Sequence, residues 1–295
     1  MRIGLVLLVS WHFACQIGAG ETLAPRWSVS DVGFGIKPSF DFSPDGRLHL
    51  TGMTEQFTGG TLWHATADSR VGDWESNIVA RSFFYGPGDM VVSADGIAQI
   101  AVHDHNARDA MHVEVGADGV ATVRHIATPD ERDGWENSLA FDSIGNLYQA
   151  TVNPSGNGVV DSLSFSSFNG VEWMSHVIVG SGAFTHSLGT SLAFDADDAP
   201  HILFTPAKSQ TEPTDLKHAF RVGDTWKISS VAEGGIRGRF SSFAFDASNR
   251  GHAAWLDIDP SDSSNATVMY GEFVDGAWST SEVERLSSVK LGPSG

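Results

Sequence analysis

A short segment recurs five times along this chain, at intervals of about 50 residues. The copies are SFDFSPDGRLH from Ser39, DMVVSADGIAQ from Asp89, SLAFDSIGNLY from Ser138, SLAFDADDAPH from Ser191 and SFAFDASNRGH from Ser242. Self-similarity at a fixed interval indicates a repeat architecture, so this feature constrains the fold more than any other. Because the repeats cover nearly all of the chain, one repetitive domain is predicted.

Each repeat is predicted to contain four short strands. In the third repeat these are the segments 138–141, 147–151, 162–166 and 173–179, with tight turns at 142–145 and 169–170. Four strands in about 50 residues, repeated radially, predict an all-β fold, the β-propeller with four-stranded blades. The period-2 pattern excludes helical arrays, a parallel β-helix would need shorter coils, and tandem sandwiches would need about 100 residues per domain.

A tryptophan follows the turn of the outer hairpin in most repeats. It is Trp74 after VGD, Trp173 after NGVE, Trp226 after GDT and Trp278 after DGA. In the second repeat the segment ADGVA has Ala121 where the tryptophan would stand. The outer hairpin is therefore regular in four repeats and altered in the second.

The predicted organisation is a signal peptide at 1–20, an N-terminal segment at 21–37 with an extra outer strand, a β-propeller at 38–286 and a C-terminal tail at 287–295. The blades are predicted at about 38–80, 89–126, 137–180, 190–232 and 241–286. Two accounts of the blade number fit. We favour five blades in a closed ring; the alternative is part of a six- or seven-bladed propeller, because the tail LGPSG resembles the start of another blade.

The first twenty residues have the pattern of an export signal. Arg2 precedes an apolar run at 3–9, and Gly18-Ala19-Gly20 forms a small-residue cleavage region. The sequence therefore predicts a secreted or periplasmic protein with no membrane insertion after signal removal. Cys15 is the single cysteine and leaves with the signal, so stability is expected from packing without disulfides.

The formal net charge of −18 argues against nucleic acid as a partner. An acidic protein repels phosphate backbones and lacks the basic stripe that they need. The chain also contains no G-x-S-x-G, H-E-x-x-H, P-loop or paired CxxC motif. We therefore predict no nucleotide or cofactor and assign no metal ligands, while the metal content and the oligomeric state stay undetermined.

The repeats resemble the secreted, sialidase-like propellers with BNR repeats. The resemblance rests on F-D-x-x-G-x-x-H across the first two strands and D-G-x-W at the outer hairpin. It implies the propeller fold, and by analogy with related lyases and lectins it implies glycans as the leading ligand class. The Asp-box of that family lacks its Ser and first Asp here. The arginine triad and the tyrosine with its acidic partner are not found, so sialidase activity is not carried over.

Several polar residues occupy equivalent positions in successive repeats and are interpreted as scaffold. His49, His201 and His252 share a place on the second strand, and His64 and His218 share one on the third, where other repeats have Phe165 and Tyr270. A position filled by histidine or an aromatic residue in repeat after repeat indicates packing. The aspartates of the first turn are likewise interpreted as turn formers.

The residues that vary between repeats are the better candidates for a site. Loops between blades, and between the second and third strands, lie on one face and differ in length, which is where binding sites are usually built. The predicted catalytic residues are His103, His105, Arg237 and Tyr85. The predicted ligand-binding residues are Asp89, Asp104, Trp135, Glu136, Asn137, His186, Thr190 and Arg239.

These residues support three functional hypotheses. The first is a secreted propeller that binds a glycan or another extracellular ligand, with Trp135 and Tyr85 as stacking platforms. The second is a carbohydrate-active enzyme, a polysaccharide lyase or glycosidase, in which His103 or His105 acts as the base and an arginine holds a substrate carboxylate. The third is a protein-interaction scaffold.

Overall fold

The structure is a computed structural model that describes residues 36–54, 60–68, 74–82, 84–104, 106–107, 109–126, 136–153, 162–180, 186–207, 214–233, 236–258, 262 and 264–287. The predicted signal peptide, the extra outer strand in 21–35 and most of the C-terminal tail lie outside these residues. Twenty strands form five antiparallel sheets, each with four strands in chain order. The all-β prediction and the five four-stranded blades are confirmed.

The strands divide evenly among the blades. Blade 1 contains β1 (Ile36–Phe42), β2 (Arg47–Met53), β3 (Gly60–Asp68) and β4 (Trp74–Ser82). Blade 2 contains β5 (Phe84–Val92), β6 (Ala98–Asp104), β7 (Asp109–Val115) and β8 (Ala121–Ile126). Blade 3 contains β9 (Glu136–Phe141), β10 (Leu147–Asn153), β11 (Ser162–Phe168) and β12 (Trp173–Val179). Blade 4 contains β13 (His186–Phe194), β14 (Pro200–Ala207), β15 (Leu216–Val222) and β16 (Thr225–Ala232). Blade 5 contains β17 (Ile236–Phe245), β18 (Gly251–Ile258), β19 (Ala266–Val274) and β20 (Ala277–Leu286).

The innermost strands of four blades begin earlier than the repeat pattern indicates. The register of β5 against β6 shifts between Tyr85 and Asp89, and similar shifts occur in β1, β13 and β17. A bulge of this kind lets a strand continue past an irregular residue while it bends. The segments just upstream of the repeated motif are therefore strand ends and not free loops.

One hydrogen bond recurs at every described blade interface. The first residue of the repeated motif accepts a hydrogen bond from the backbone N–H of the second motif residue in the next blade. The four pairs are Ser39 with Met90 at 3.1 Å, Asp89 with Leu139 at 2.8 Å, Ser138 with Leu192 at 2.9 Å and Ser191 with Phe243 at 3.0 Å. We call this contact the interblade latch. It explains why serine or aspartate recurs at this position.

The innermost strands pack in series from β1 to β5, β9, β13 and β17. Within the described ranges, β17 and β1 do not pack on each other in this way. Phe40 and Phe42 of β1 remain 56% and 47% exposed, and the Ser242 hydroxyl has no latch partner among the described residues. The described residues therefore show no packing between blades 5 and 1 comparable to that at the other four interfaces.

Replacement of Ser138 by alanine tests the interblade latch. The change removes the acceptor of the buried Leu192 N–H, and an unpaired buried N–H costs about 1–3 kcal/mol. We expect the free energy of unfolding, measured by urea titration with tryptophan fluorescence, to fall by that amount. The matched control is Ser242→Ala, at the same motif position without a described partner, which is expected to change stability by less than about 0.5 kcal/mol. Equal effects of the two changes would contradict the role of the latch.

Candidate functional site

Strand direction divides the propeller into two faces. The innermost strands begin, and the second strands end, on one side, which we call the loop face. The tight turns after β1, β5, β9, β13 and β17 lie on the opposite side, which we call the turn face. Most of the predicted residues within the described strands lie at the loop-face ends of those strands: Tyr85, His103, Asp104, Glu136, Asn137, His186 and Arg237. Asp89, Thr190 and Arg239 lie farther along β5, β13 and β17.

The side chains of the predicted site are described only in part. His105 and Trp135 lie outside the described residues. For Tyr85, His186, Arg237 and Arg239 the structure describes the backbone and not the side chain. Their assignment to catalysis or ligand binding stays a prediction.

Asp89 has a clear structural role. Its carboxylate accepts hydrogen bonds from the Ser39 hydroxyl at 2.9 Å, from the Leu139 N–H at 2.8 Å and from its neighbour Met90. These contacts join blades 1, 2 and 3. Burial raises the pKa of the Asp89 carboxyl, although the donors from Leu139 and Ser39 oppose that shift. The residue thus acts as the latch between blades 2 and 3.

Two further candidates also make hydrogen bonds within the scaffold. The Asp104 carboxylate accepts from the Ser82 hydroxyl at 2.7 Å and from the Asn106 N–H at 3.0 Å, which holds the turn after β6. The Thr190 hydroxyl donates to the Glu136 carbonyl at 3.2 Å and links blade 4 to blade 3. These contacts account for both side chains without a ligand.

His103 is fully buried at the interface of blades 2 and 3. It follows Ala101 by two residues and pairs with Ala110, and both alanines pack with Leu139 of blade 3. Because alternate residues of a strand share a face, the imidazole also faces blade 3. The backbone register places Tyr85 directly opposite His103 in the β5–β6 pair. Two of the predicted catalytic residues are thus brought together.

The interface of blades 2 and 3 is polar at its loop-face end. Asn137 pairs in register with Thr151, and both are buried. The Gln149 amide donates to the Asn137 side-chain oxygen at 2.6 Å. This bond satisfies the Asn137 oxygen, whereas the buried Gln149 Oε1 and Thr151 Oγ1 atoms have no hydrogen-bond partner among the described residues.

Histidine pairs fill the positions that the sequence interpretation assigned to packing. His201 Nδ1 lies 2.9 Å from His218 Nε2, and His49 Nδ1 lies 3.1 Å from His64 Nε2. All four rings are buried. In blade 2 the same place is taken by Gln99 and His112, at 2.6 Å, a histidine that the sequence interpretation did not assign.

The His201–His218 pair in blade 4 belongs to a chain of hydrogen bonds in which every donor points the same way, from Trp278 toward Asp195. The Trp278 Nε1–H of blade 5 can only donate, and it lies 3.1 Å from His218 Nδ1. His218 therefore carries its proton on Nε2 and donates to His201, whose Nε2 lies 3.4 Å from the Asp195 carboxylate. Burial lowers the pKa of His218 to about 3, and it lowers the pKa of His201 as well.

A tryptophan covers the third-strand ring of the preceding blade at three interfaces. Ring centroids are 5.3 Å apart for Trp173 and His112, 5.3 Å for Trp226 and Phe165, and 5.4 Å for Trp278 and His218. In the β7–β8 pair, Ala121 stands opposite Val115, as Trp173 stands opposite Phe168 in blade 3. The structure thus confirms that Ala121 takes the tryptophan position, and His64 of blade 1 receives no such cover from it.

A pocket of about 520 Å³ is lined by His64, the ring that such a tryptophan covers at the other interfaces, and by the turn at 116–119 that precedes Ala121. Its walls are the turns after β1, β5 and β7, on the turn face. The side chains that face it include Arg47, His49, His64, Glu75 and Asn77. None of these five was predicted as a site residue. The sequence feature that could have indicated this pocket is Ala121, which stands where the outer hairpin of the other repeats has a tryptophan.

The described residues contain no group of three or more His, Cys, Asp or Glu that could hold a metal ion. A helix long and apolar enough to cross a membrane is likewise not found in the described ranges.

No protein family matches the chain, and no curated protein matches it. Many solved structures are similar to it, and three of these contain a bound saccharide. An ulvan lyase with a bound GlcA-containing saccharide has 15% identity and a TM-score of 0.62, over 86% of this chain and 70% of that chain. The Aleuria aurantia lectin, in complex with a fucosylated sugar, has 9% identity and a TM-score of 0.57, over 84% and 78%. The α-L-arabinanase of Penicillium chrysogenum, with arabinobiose, has 11% identity and a TM-score of 0.52, over 79% and 77%.

At these identities the similarity shows the β-propeller fold alone. All three structures are carbohydrate-binding or carbohydrate-active proteins, and none of them is a sialidase.

The buried histidines predict a loss of stability in acid. Unfolded histidines take a proton near pH 6.5, whereas burial lowers the pKa of His64 and His112 to about 4 and that of His218 to about 3. Below pH 6.5 the unfolded state therefore binds more protons, and the free energy of unfolding should fall by up to about 1.4 kcal/mol per pH unit and histidine.

The test uses a variant in which His201 and His218 are replaced by the residues at the equivalent positions of blade 3, Tyr148 and Phe165. The double change His201→Tyr and His218→Phe should flatten the acid side of the stability curve measured by urea titration from pH 7 to pH 4.5. The control is His176→Gln, an exposed position on β12, which is expected to leave the slope unchanged. An unaltered slope in the double variant would show that these histidines do not control the acid response.

Proposed function

We propose that the chain is an exported β-propeller, secreted or periplasmic, that binds a glycan on its loop face. The observation that carries this proposal is geometric. The starts of β5, β9, β13 and β17 and the end of β6 lie on one face of a repetitive scaffold, and seven of the predicted residues belong to these strand ends. Such a face, with variable segments on rigid strands, is the usual place for a binding site in a repeat fold.

The similar structures support the ligand class by analogy. An ulvan lyase, a lectin and an arabinanase all use this fold with saccharides. The fold does not determine the activity, so the ligand is argued from the site. Aromatic rings and bidentate arginines are the groups that hold sugars and sugar carboxylates, and Trp135, Arg237 and Arg239 would supply them. The resemblance to BNR-repeat propellers agrees with this class.

A polysaccharide lyase is the second candidate. It is favoured by the register that places Tyr85 opposite His103. In such a reaction a base removes the proton next to the carboxylate of a uronic acid, and the glycosidic C–O bond breaks as a C=C bond forms. The leaving oxygen then takes a proton from an acid. His103 would act as the base, Tyr85 as the acid and Arg237 would hold the carboxylate. Because His103 is fully buried, this role requires an opening between blades 2 and 3.

A glycan-array screen followed by calorimetry tests the binding proposal. Trp135→Ala is expected to weaken the best glycan at least tenfold, about 1.4 kcal/mol, through lost stacking. The matched control is Ile144→Ala, a hydrophobic side chain 81% exposed on the turn face, which should leave the affinity unchanged. Binding that survives Trp135→Ala and Arg237→Ala, but is lost with Ile144→Ala, would move the site to the turn face.

The lyase candidate has its own measurement. Uronic-acid polysaccharides are incubated with the protein, and unsaturated products are followed by their ultraviolet absorbance. A lyase predicts turnover that falls at least 100-fold in Tyr85→Phe, with a smaller change in KM, because general acid catalysis contributes about 10²–10⁴ to the rate. Turnover lost in both His103→Ala and His105→Ala would exclude a pure binding role. No turnover on any polymer would exclude the lyase.

A further inference from the structure

The pocket between blades 1 and 2 is lined by the His49–His64 pair, which makes fewer hydrogen bonds to the described scaffold than the equivalent pair in blade 4. In blade 4, His201 Nε2 faces Asp195 and His218 Nδ1 accepts from Trp278. The corresponding atoms in blade 1 are His49 Nε2 and His64 Nδ1. Ser43 stands where blade 4 has Asp195, and Ala121 stands where blade 5 has Trp278. Neither nitrogen has a hydrogen-bond partner among the described residues, and both rings line the pocket.

The pair offers the same two groups to the pocket whichever way its shared proton points. If His64 Nε2 donates to His49 Nδ1, then His49 Nε2 is a donor and His64 Nδ1 an acceptor. If the shared bond is reversed, the two roles are exchanged. A neutral pair therefore always presents one donor and one acceptor. Two adjacent hydroxyl groups match this arrangement, because each hydroxyl can donate or accept.

The charges around the pocket select against anions. Among the described residues that line the pocket, one guanidinium is present, that of Arg47, and it is held 3.1 Å from the Thr66 hydroxyl and 3.9 Å from Glu75. The carboxylates that line the pocket belong to Asp45, Glu75, Asp95 and Asp118. Burial lowers the pKa of His64 to about 4, so the pair is uncharged at neutral pH. The described lining of the pocket is thus net negative and rich in hydrogen-bonding groups, which favours an uncharged polyol over a uronate or a sulfated sugar.

We propose that the pocket between blades 1 and 2 binds a neutral sugar unit through two adjacent hydroxyl groups, with the His49–His64 pair at its base. Its volume, about 520 Å³, lies within the usual range for small-molecule sites. The choice of a sugar rests on the proposed glycan function. The choice of neutral, adjacent hydroxyl groups rests on the pocket itself. The site lies on the turn face and is distinct from the loop face.

Histidine-selective ¹⁵N labelling of the full chain provides the assay. Neutral methyl hexopyranosides, namely those of glucose, galactose, mannose and fucose, are titrated against the protein, with methyl glucuronide as the charged comparison. We expect at least one neutral glycoside to shift the side-chain ¹⁵N signals of His49 and His64, and to bind at least tenfold tighter than the glucuronide. Absence of any shift with all four neutral glycosides, or tighter binding of the glucuronide, would overturn the proposal.

Ala121→Trp is the decisive variant, because it restores the tryptophan that closes the other interfaces. The indole is expected to fill the pocket, and the neutral glycoside should bind at least tenfold more weakly. The matched control is Thr122→Trp, which adds the same ring at the next, exposed position of β8 and should leave binding unchanged. Should Ala121→Trp fail to fold, His64→Phe, which copies Phe165 of blade 3, makes the same prediction. Unchanged affinity in a folded Ala121→Trp or His64→Phe protein would overturn the proposal.

The same variants separate this site from the loop face. Loss of polymer binding in Trp135→Ala with normal His49 and His64 shifts would affect only the proposed function, whereas the opposite pattern would affect only this pocket.

Discussion

The interblade latch is the contact on which the rest of the structure depends. Each latch joins a side chain of one innermost strand to a backbone N–H of the next, so it fixes both the spacing and the register of neighbouring blades. A buried N–H without an acceptor is costly, and a blade displaced along its neighbour would lose this acceptor. The latch also gives the repeated motif its first residue. Serine and aspartate are short side chains with an acceptor oxygen, and they reach the next strand without separating the sheets.

The fold was predictable from the sequence because five copies of one pattern identify the strands and turns that a single short segment would leave ambiguous. The segment SLAFDSIGNLY identified an innermost strand and its tight turn, and the structure has β9 and β10 at those places. The starts of the innermost strands were less predictable, since Gly, Pro and polar residues before Asp89 suggest a loop where a bulge continues the strand. Interfaces were the least predictable. Asp89 and Thr190 looked like ligand contacts in the sequence, but their partners lie in other blades, at sequence distances that no local pattern reveals.

Changes in length and sequence are restricted differently on the two faces of the propeller. On the turn face, the five turns that follow the innermost strands are fixed by their own hydrogen bonds, such as Asn146 N–H to Asp142 at 2.8 Å and Arg250 N–H to Asp246 at 2.9 Å. Insertions there would break these bonds, so the turns stay short and similar. On the loop face the connections carry no comparable repeat, and their length and composition differ from blade to blade. A site on the loop face can therefore be built by addition of residues to the connections.

A site on the turn face has to arise in another way, by removal of a side chain that the scaffold normally supplies. Ala121 is such a removal. The indole that would cover His64 is absent from this position, and the histidine pair behind it keeps its mutual bond at 3.1 Å while its outer nitrogens face the pocket. Most truncations inside a packed core leave an apolar cavity that only destabilises. At this interface the residue behind the missing ring is polar, so the same truncation exposes hydrogen-bonding groups in place of hydrocarbon. In a repeat protein, a blade that departs from the repeated pattern can for this reason indicate a binding site, just as variable loops can.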